Sequence, residues 1–320
     1  MESKYIFLLK EKSLIICIVT FFSIPKCLYG DQIYDQSKNV EHSQSKKEEI
    51  DINNSIDDEP TEDISRLFLR ESEVLLKPRE TQISIGFDYS KNDSTQNLRF
   101  TRNRMISIPI SISVGILENM EIFSEIPYVY IGNEIVSFDR SLKQESHGVG
   151  DLSLGFSYRL LPENKGHPSI TSSFTVVAPT GEDGSSEVNA ITSGVGFWGV
   201  STGLSVTKSV DPAVLFFTLG YAHSFEEDGI KNGDSFNYGF GMGLSINSLL
   251  SVSGRFSGTY IDEITVGGVK IPGSSTEPVS FNIDMTYQLN NTHRIASSIG
   301  FGLNDDVNDT SISFSYIINL

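Results

Sequence analysis

Phe236-Asn237-Tyr238-Gly239-Phe240-Gly241-Met242-Gly243-Leu244-Ser245-Ile246 is the stretch on which the fold turns. Phe236, Tyr238, Phe240, Met242, Leu244 and Ile246 alternate with Asn237, Gly239, Gly241, Gly243 and Ser245. A period of two puts the bulky side chains on one face of a strand and the small or polar ones on the other. Strands of water-soluble proteins run to about 5 or 6 residues, whereas a tilted strand needs about 9 to 11 to cross a bilayer. This run has the longer kind of length, and its apolar face is continuous.

The same pattern recurs from Arg79 to the end. Ile106, Ile108, Ile110, Ile112, Val114 and Ile116 alternate with Ser107, Pro109, Ser111, Ser113 and Gly115. Leu152, Leu154, Phe156, Tyr158 and Leu160 alternate with Asp151, Ser153, Gly155, Ser157 and Arg159, and Val279 to Leu289 repeats the alternation with Phe281, Ile283, Met285 and Tyr287. Twelve such runs are predicted, near 82–90, 100–116, 120–130, 148–161, 168–178, 198–208, 213–225, 235–247, 249–260, 278–289, 293–303 and 309–320. An even count is what a bacterial single-chain outer-membrane barrel requires. The expectation is an all-β, transmembrane, antiparallel up-and-down barrel over 79–320.

The connections sort by length. Leu117-Glu118-Asn119, Ser209-Val210-Asp211-Pro212, Asn247-Ser248 and Asn290-Asn291-Thr292 are tight turns, while 131–147, 179–197, 226–234 and 261–277 are long loops. Short periplasmic turns and longer outer loops are the outer-membrane arrangement. It places both ends of the barrel on the periplasmic side. Tyr89, Tyr128, Tyr130, Tyr158, Trp198, Tyr221, Tyr260, Tyr287 and Tyr316 fall near strand ends, as interfacial belts do.

Ahead of the barrel, Lys4, Lys10 and Lys12 precede an apolar run from Leu14 to Pro25, so 1–30 reads as a secretory signal, with an uncleaved anchor as the alternative. That segment contains Cys17 and Cys27, the only cysteines, so the remaining chain has no thiol chemistry. Residues 31–64 carry eleven acids against three lysines and read as a disordered acidic tether. Ile64, Leu67, Phe68, Glu71 and Leu75 have helical spacing, so 65–78 is expected to be a short amphipathic helix or lead-in, ended by Pro78. The formal net charge of −17 excludes ordinary nucleic-acid binding, which needs lysine and arginine against phosphate.

Chemistry is harder to find. The glycines at 239, 241 and 243 lie within one strand, not at a strand-to-helix turn, so they give lumen space and no nucleotide loop. A barrel phospholipase would need a serine two residues from a histidine on one strand, but His223 is followed at that spacing by Phe225 and His293 by Ile295. His147 and His167 fall in loops without such a partner, and no histidine pair has metal-ligand spacing. No catalytic, cofactor or metal residue is assigned. The informative residues are charges that alternation turns inward: Asp88, Glu121, Glu125, Asp151, Arg159, Arg255, Asp284 and Arg294. They form either a solute-selecting wall or an internally paired, sealed lumen.

Phe68-Leu69-Arg70 through Val74-Leu75-Leu76-Lys77-Pro78 and then Ile83 to Ser90 resemble the start of a bacterial barrel family named for the meta-pathway of phenol degradation. Glu125-Ile126-Pro127-Tyr128, Gly150-Asp151-Leu152-Ser153-Leu154-Gly155 and Val177-Ala178-Pro179-Thr180-Gly181 are similar to its strand and loop motifs. The final strand, with Ile312, Phe314, Tyr316, Ile318 and Leu320, resembles an outer-membrane assembly signal, although it ends in leucine where phenylalanine or tryptophan is usual. Over about 66–320 the resemblance implies an outer-membrane transporter of small molecules, and the functional expectation is a passive channel for small solutes, hydrophobic or aromatic ones among them. Expected partners are membrane lipid and lipopolysaccharide, bridged by divalent cations to acidic loops, and the barrel assembly machinery at the last strand. The alternatives are a non-transporting surface or envelope-integrity protein and, third, a lipid hydrolase.

Overall fold

The computed structural model describes residues 75–96, 99–137, 140–181 and 193–320. The expected signal (1–30) and tether (31–64) lie outside the described residues. So does the expected lead-in, apart from 75–78, which are irregular and enter a turn at Pro78 and Arg79.

In chain order the strands are β1 (Thr81–Gln96), β2 (Arg99–Leu117), β3 (Met120–Ser137), β4 (Arg140–Val149), β5 (Leu152–Leu161), β6 (Ser169–Ala178), β7 (Gly199–Val210) and β8 (Ala213–Ser224). There follow β9 (Ile230–Lys231), β10 (Ser235–Ser245), β11 (Leu250–Ile261), β12 (Thr265–Val266), β13 (Val269–Lys270), β14 (Val279–Gln288), β15 (His293–Gly302) and β16 (Thr310–Asn319). All wall pairings are antiparallel, and the sheet closes where β1 meets β16, from Gln82↔Asn319 to Lys91↔Thr310. β4 and β5 share one position in the wall, which makes a closed twelve-position barrel. Closure pairs the strand edges with one another, as hydrocarbon requires.

Two expected boundaries are corrected. Residues 131–137 and 140–147 are strand and not loop: β3 runs on to Ser137, and β4 pairs back on it from Tyr128↔Val149 to Ser137↔Arg140. The expected strand over 148–161 is also divided, because β4 pairs with the distal part of β3 and β5 with its proximal part, Met120–Glu125. β1 and β2 are extended likewise, and stay paired from Lys91↔Arg104 to Gln96↔Arg99. The reason is a reversal of faces. Below Pro127, β3 turns Ile122 and Ile126 outward and Glu121 and Glu125 inward. Above it, Val129, Ile131 and Ile135 are buried on the inner face while Gly132 and Glu134 look out. An outward apolar face suits lipid and an outward polar face suits water, so β1–β4 leave the apolar belt as a four-stranded extension without losing their pairing.

The reversal coincides with a line of glycine and proline across these strands. Pro109 and Pro127 stand directly opposite one another on β2 and β3. A Cβ added at Gly86 would meet Pro109 Cγ at 2.8 Å, and one added at Gly150 would meet Pro127 Cγ at 2.8 Å. Proline has no N–H to donate, and the β1–β2 register skips Gly86 and Phe87 here.

At the loop end, β9, β12 and β13 form a small separate sheet. Its β12–β13 turn is made by Gly267 and Gly268, whose φ values of 57° and 78° suit glycine. At the turn end, Tyr287, Ala296 and Ile317 form a buried cluster with Leu249 and Leu289 against it. Tyr287 is only 1% exposed, so it does not belong to the lipid-facing belt. Tyr128, Trp198, Tyr221, Tyr260 and Tyr316 are exposed on the outer surface.

Candidate functional site in the lumen

The inner wall is built by the second residue of each alternating pair. Ser84, Ser107, Ser111, Ser157, Thr171, Ser205, Ser251 and Ser315 are all buried there, and most have a small or hydroxylated cross-strand neighbour. Such residues leave room within a barrel too narrow for rows of large side chains.

Two rings break this pattern. Phe123 of β3 lies over Gly155 of β5, and Phe216 of β8 lies over Gly241 of β10; in both cases a Cβ on the glycine would collide with the ring. Within the glycine run, Gly241 thus makes room for a ring of the neighbouring strand, and Gly239 for the Thr218 side chain. The rings themselves are not legible from single strands, because each is seated by a glycine on the next strand. Both glycines belong to the alternation and are the only hint the sequence carries.

The eight inward charges do not form one cluster. Asp284, 4% exposed, accepts from Ser253 Oγ at 3.2 Å and Ser298 Oγ at 2.6 Å, with Arg255 Nη2 3.7 Å away. Arg294 donates from Nη2 to Asn319 Oδ1 at 3.0 Å and to Gln82 Oε1 at 3.2 Å, and so ties β15 to the β16–β1 closure. Nearby, Asn282 donates to Ser257 and Ser280, and Thr259 to Asn237. One side of the wall is thus a network of hydroxyls, amides and a single arginine–aspartate pair.

Glu121 sits at the turn end, where its Oε2 accepts the Leu76 N–H at 3.0 Å. Leu75 and Leu76 are buried, and the carbonyls of Leu76 and Lys77 occupy the space a Gly115 side chain would need. The chain therefore passes along the inner wall before β1 begins. Asp151 stands at the break between β4 and β5, and its carboxylate accepts the N–H of Gly181 at 2.9 Å and that of Val195. It holds together the two stems of the β6–β7 connection, where Gly181 and Gly194 touch. Asp88, Glu125 and Arg159 are half-buried on other strands. The histidines weighed for hydrolysis are engaged elsewhere: His223 Nδ1 lies 3.0 Å from Asp234 Oδ1, and His293 Nδ1 lies 2.8 Å from the Tyr316 hydroxyl. No group of three metal-ligating side chains occurs among the described residues.

The sequence profile of a family described as "Putative MetA-pathway of phenol degradation" matches residues 82–320. The COG4313 outer membrane channel from Pseudomonas putida F1 superposes with a TM-score of 0.63 at 12% sequence identity, over 78% of this chain and 98% of that one. The translocator domain of the autotransporter NalP from Neisseria meningitidis gives a TM-score of 0.47 at 6% identity, over 77% of this chain and 90% of that one. The CymD monoaromatic hydrocarbon channel gives 0.39 at 10%, over 76% and 88%. At 12% identity the likeness to the COG4313 channel is one of fold.

Proposed function

From the premise that this outer-membrane barrel belongs to the phenol-degradation family matched over residues 82–320, we propose that it is a passive channel for small solutes with an aromatic or other apolar part. The observation that carries the reading is the pair of lumen rings, Phe123 and Phe216, each reaching over a glycine on the neighbouring strand in a wall rich in hydroxyls. A ring in the wall offers an apolar surface to a passing apolar group, while Ser253, Ser298 and Asn282 offer hydrogen bonds to a polar substituent. Arg255 lies by Asp284, and Glu121, Asp151 and Arg294 are hydrogen-bonded within the wall, so these groups disfavour a highly charged solute less by net field than by the cost of stripping its water.

Purified full-length protein in liposomes tests this. Entry of a phenol-sized aromatic solute is expected to exceed that of a sugar of similar size, and Phe216→Ala with Phe123→Ala is expected to erase the difference. Equal rates for both solutes in the wild type would sink the reading. The four-stranded extension favours a second one, in which the exposed surface acts in envelope attachment and the lumen is silent. A barrel that admits neither solute, yet whose loss weakens the envelope, would decide for that alternative.

A further inference from the structure

We propose that the outer face of the β1–β4 extension is a docking surface for the phosphorylated headgroup of an outer-leaflet glycolipid, with Arg104 as its anchor. The argument begins with register. On the outward face of these strands, Tyr89, Ile106, Tyr130 and His147 make one cross-strand row; two residues further from the apolar belt come Lys91, Arg104, Gly132 and Glu145, and then Asp93, Arg102, Glu134 and Lys143. Two residues of strand rise by about 7 Å. The first charged row therefore sits just above the aromatic boundary, at the depth of lipid phosphates.

The charges in these rows do not cancel. Asp93 is held by Lys91 Nζ at 2.6 Å and approached by Arg102 Nε at 3.4 Å, Arg102 Nη1 also meets Glu134 Oε2 at 3.1 Å, and Lys143 pairs with Glu145. All three acids are thereby engaged. Arg104 is exposed, and no acid among the described residues pairs with it. It stands directly opposite Lys91, a like-charge placement whose adjoining acid, Asp93, is taken up by Lys91 and Arg102. Its other neighbour is Gly132, where an added Cβ would have nothing closer than Tyr130 Cε1 at 3.8 Å. The outer face thus has a gap beside a guanidinium that no acid among the described residues pairs with, and a second cation across from it.

Charge also selects the side of the barrel. The described loops elsewhere on this end carry Glu226, Glu227, Asp228, Asp262, Glu263, Glu277, Asp305, Asp306 and Asp309. A phosphate-bearing lipid is repelled there and drawn to β1–β4. Arginine suits phosphate through paired N–H donors, and its methylenes can lie along the apolar face below. This differs from attachment through acidic loops bridged by divalent cations, and the two are separable.

The test uses full-length protein refolded in neutral detergent, with labelled bisphosphorylated lipid A and its dephosphorylated form as ligands, in EDTA. The wild type is expected to prefer the phosphorylated lipid. Arg104→Gln should weaken that binding about fivefold, the contribution typical of one basic side chain at an anionic lipid surface, and Arg104→Lys should retain most of it. Gly132→Glu keeps Arg104 but fills the gap with a competing carboxylate, and should weaken binding by a similar factor even if Arg104→Gln folds poorly. Equal affinity for the two lipids, binding unchanged in both Arg104→Gln and Gly132→Glu, or binding abolished by EDTA alone would overturn the proposal.

Discussion

Asp234 shows how one residue at the loop end ties strands to connections. Burial works against its charge, but hydrogen bonds from Lys231, Tyr221 and His223 outweigh it and hold the carboxyl below the usual aspartate range. A group depressed in the folded state contributes stability above its unfolded value, near pH 3.9, and loses it as pH falls through the lower folded value. The wild type should therefore lose more stability than Asp234→Asn as pH drops below about 4, read as denaturant midpoints in micelles. Parallel midpoints would remove the effect. A second residue-scale expectation separates the two faces of β10. Phe240, 55% exposed, is stacked on Phe256, and Phe240→Arg should cost about 2–4 kcal/mol if it lies near the bilayer midplane. Alternation alone allows a long side chain at Gly241, but Phe216 and the Gly254 carbonyl both fill that space, so Gly241→Ala should destabilise the barrel and Phe216→Ala should relieve only the part due to the ring. Failure of the double variant to recover would show that the ring is not the obstacle. The direction in which Gly241 faces was legible from period two; the ring above it was not, because it comes from a different strand.

At the scale of elements, the sequence is most informative inside the lipid belt and least informative where strands leave it. Residues 131–147 look like a loop because charges enter and the outward apolar pattern stops. The alternation persists with its faces exchanged, however, as Val129, Ile131 and Ile135 turn inward and Glu134 turns outward. A reading tied to lipid-facing residues ends the strand where the membrane ends. The break at Gly150 and Asp151 has a different origin, since it is fixed by what the carboxylate holds. Asp151 is 8% exposed and accepts the N–H groups of Gly181 and Val195, so it acts on the β6–β7 connection more than on any solute. Asp151→Ala leaves both donors without that acceptor and should cost about 1.5–3 kcal/mol per charged hydrogen bond that water does not replace. The measurement is limited proteolysis of the refolded barrel: cleavage within the β6–β7 connection should speed up while the strands stay protected. Unchanged cleavage would mean that the stems are held by other contacts.

For the whole molecule, closure makes the long-range order of twelve wall positions a consequence of local pattern, because each strand pairs with its sequence neighbour and only β1 and β16 must find each other across the chain. That is why fold class and family were readable from alternation and turn lengths. How full the lumen is was not readable, because Phe123 and Phe216 reach over glycines of neighbouring strands, Ile317 packs with Tyr287 and Ala296, and the main chain at Leu76 and Lys77 comes in against Gly115 from ahead of the barrel. The orientation of the barrel follows from the same sorting of connections and can be tested directly. Ser274 lies in the connection between β13 and β14, where its Oγ donates to the Ile271 carbonyl and accepts the Ile264 N–H, whereas Asn291 lies in the tight β14–β15 turn at the opposite end. If long connections face outward, Ser274→Cys on intact cells should react with a membrane-impermeant maleimide, and Asn291→Cys should react only after the outer membrane is breached. The native cysteines, Cys17 and Cys27, both precede the barrel, so a chain lacking them gives a clean background. Because the Ser274 hydroxyl is engaged, Gly267→Cys would be a poor substitute at its positive φ, and Val269→Cys, on the 65% exposed tip of the β12–β13 hairpin, is the better second site. Labelling of Asn291→Cys on intact cells, with both loop-end cysteines silent, would mean that the barrel is inserted the other way up, and Arg104 would then face the inner leaflet.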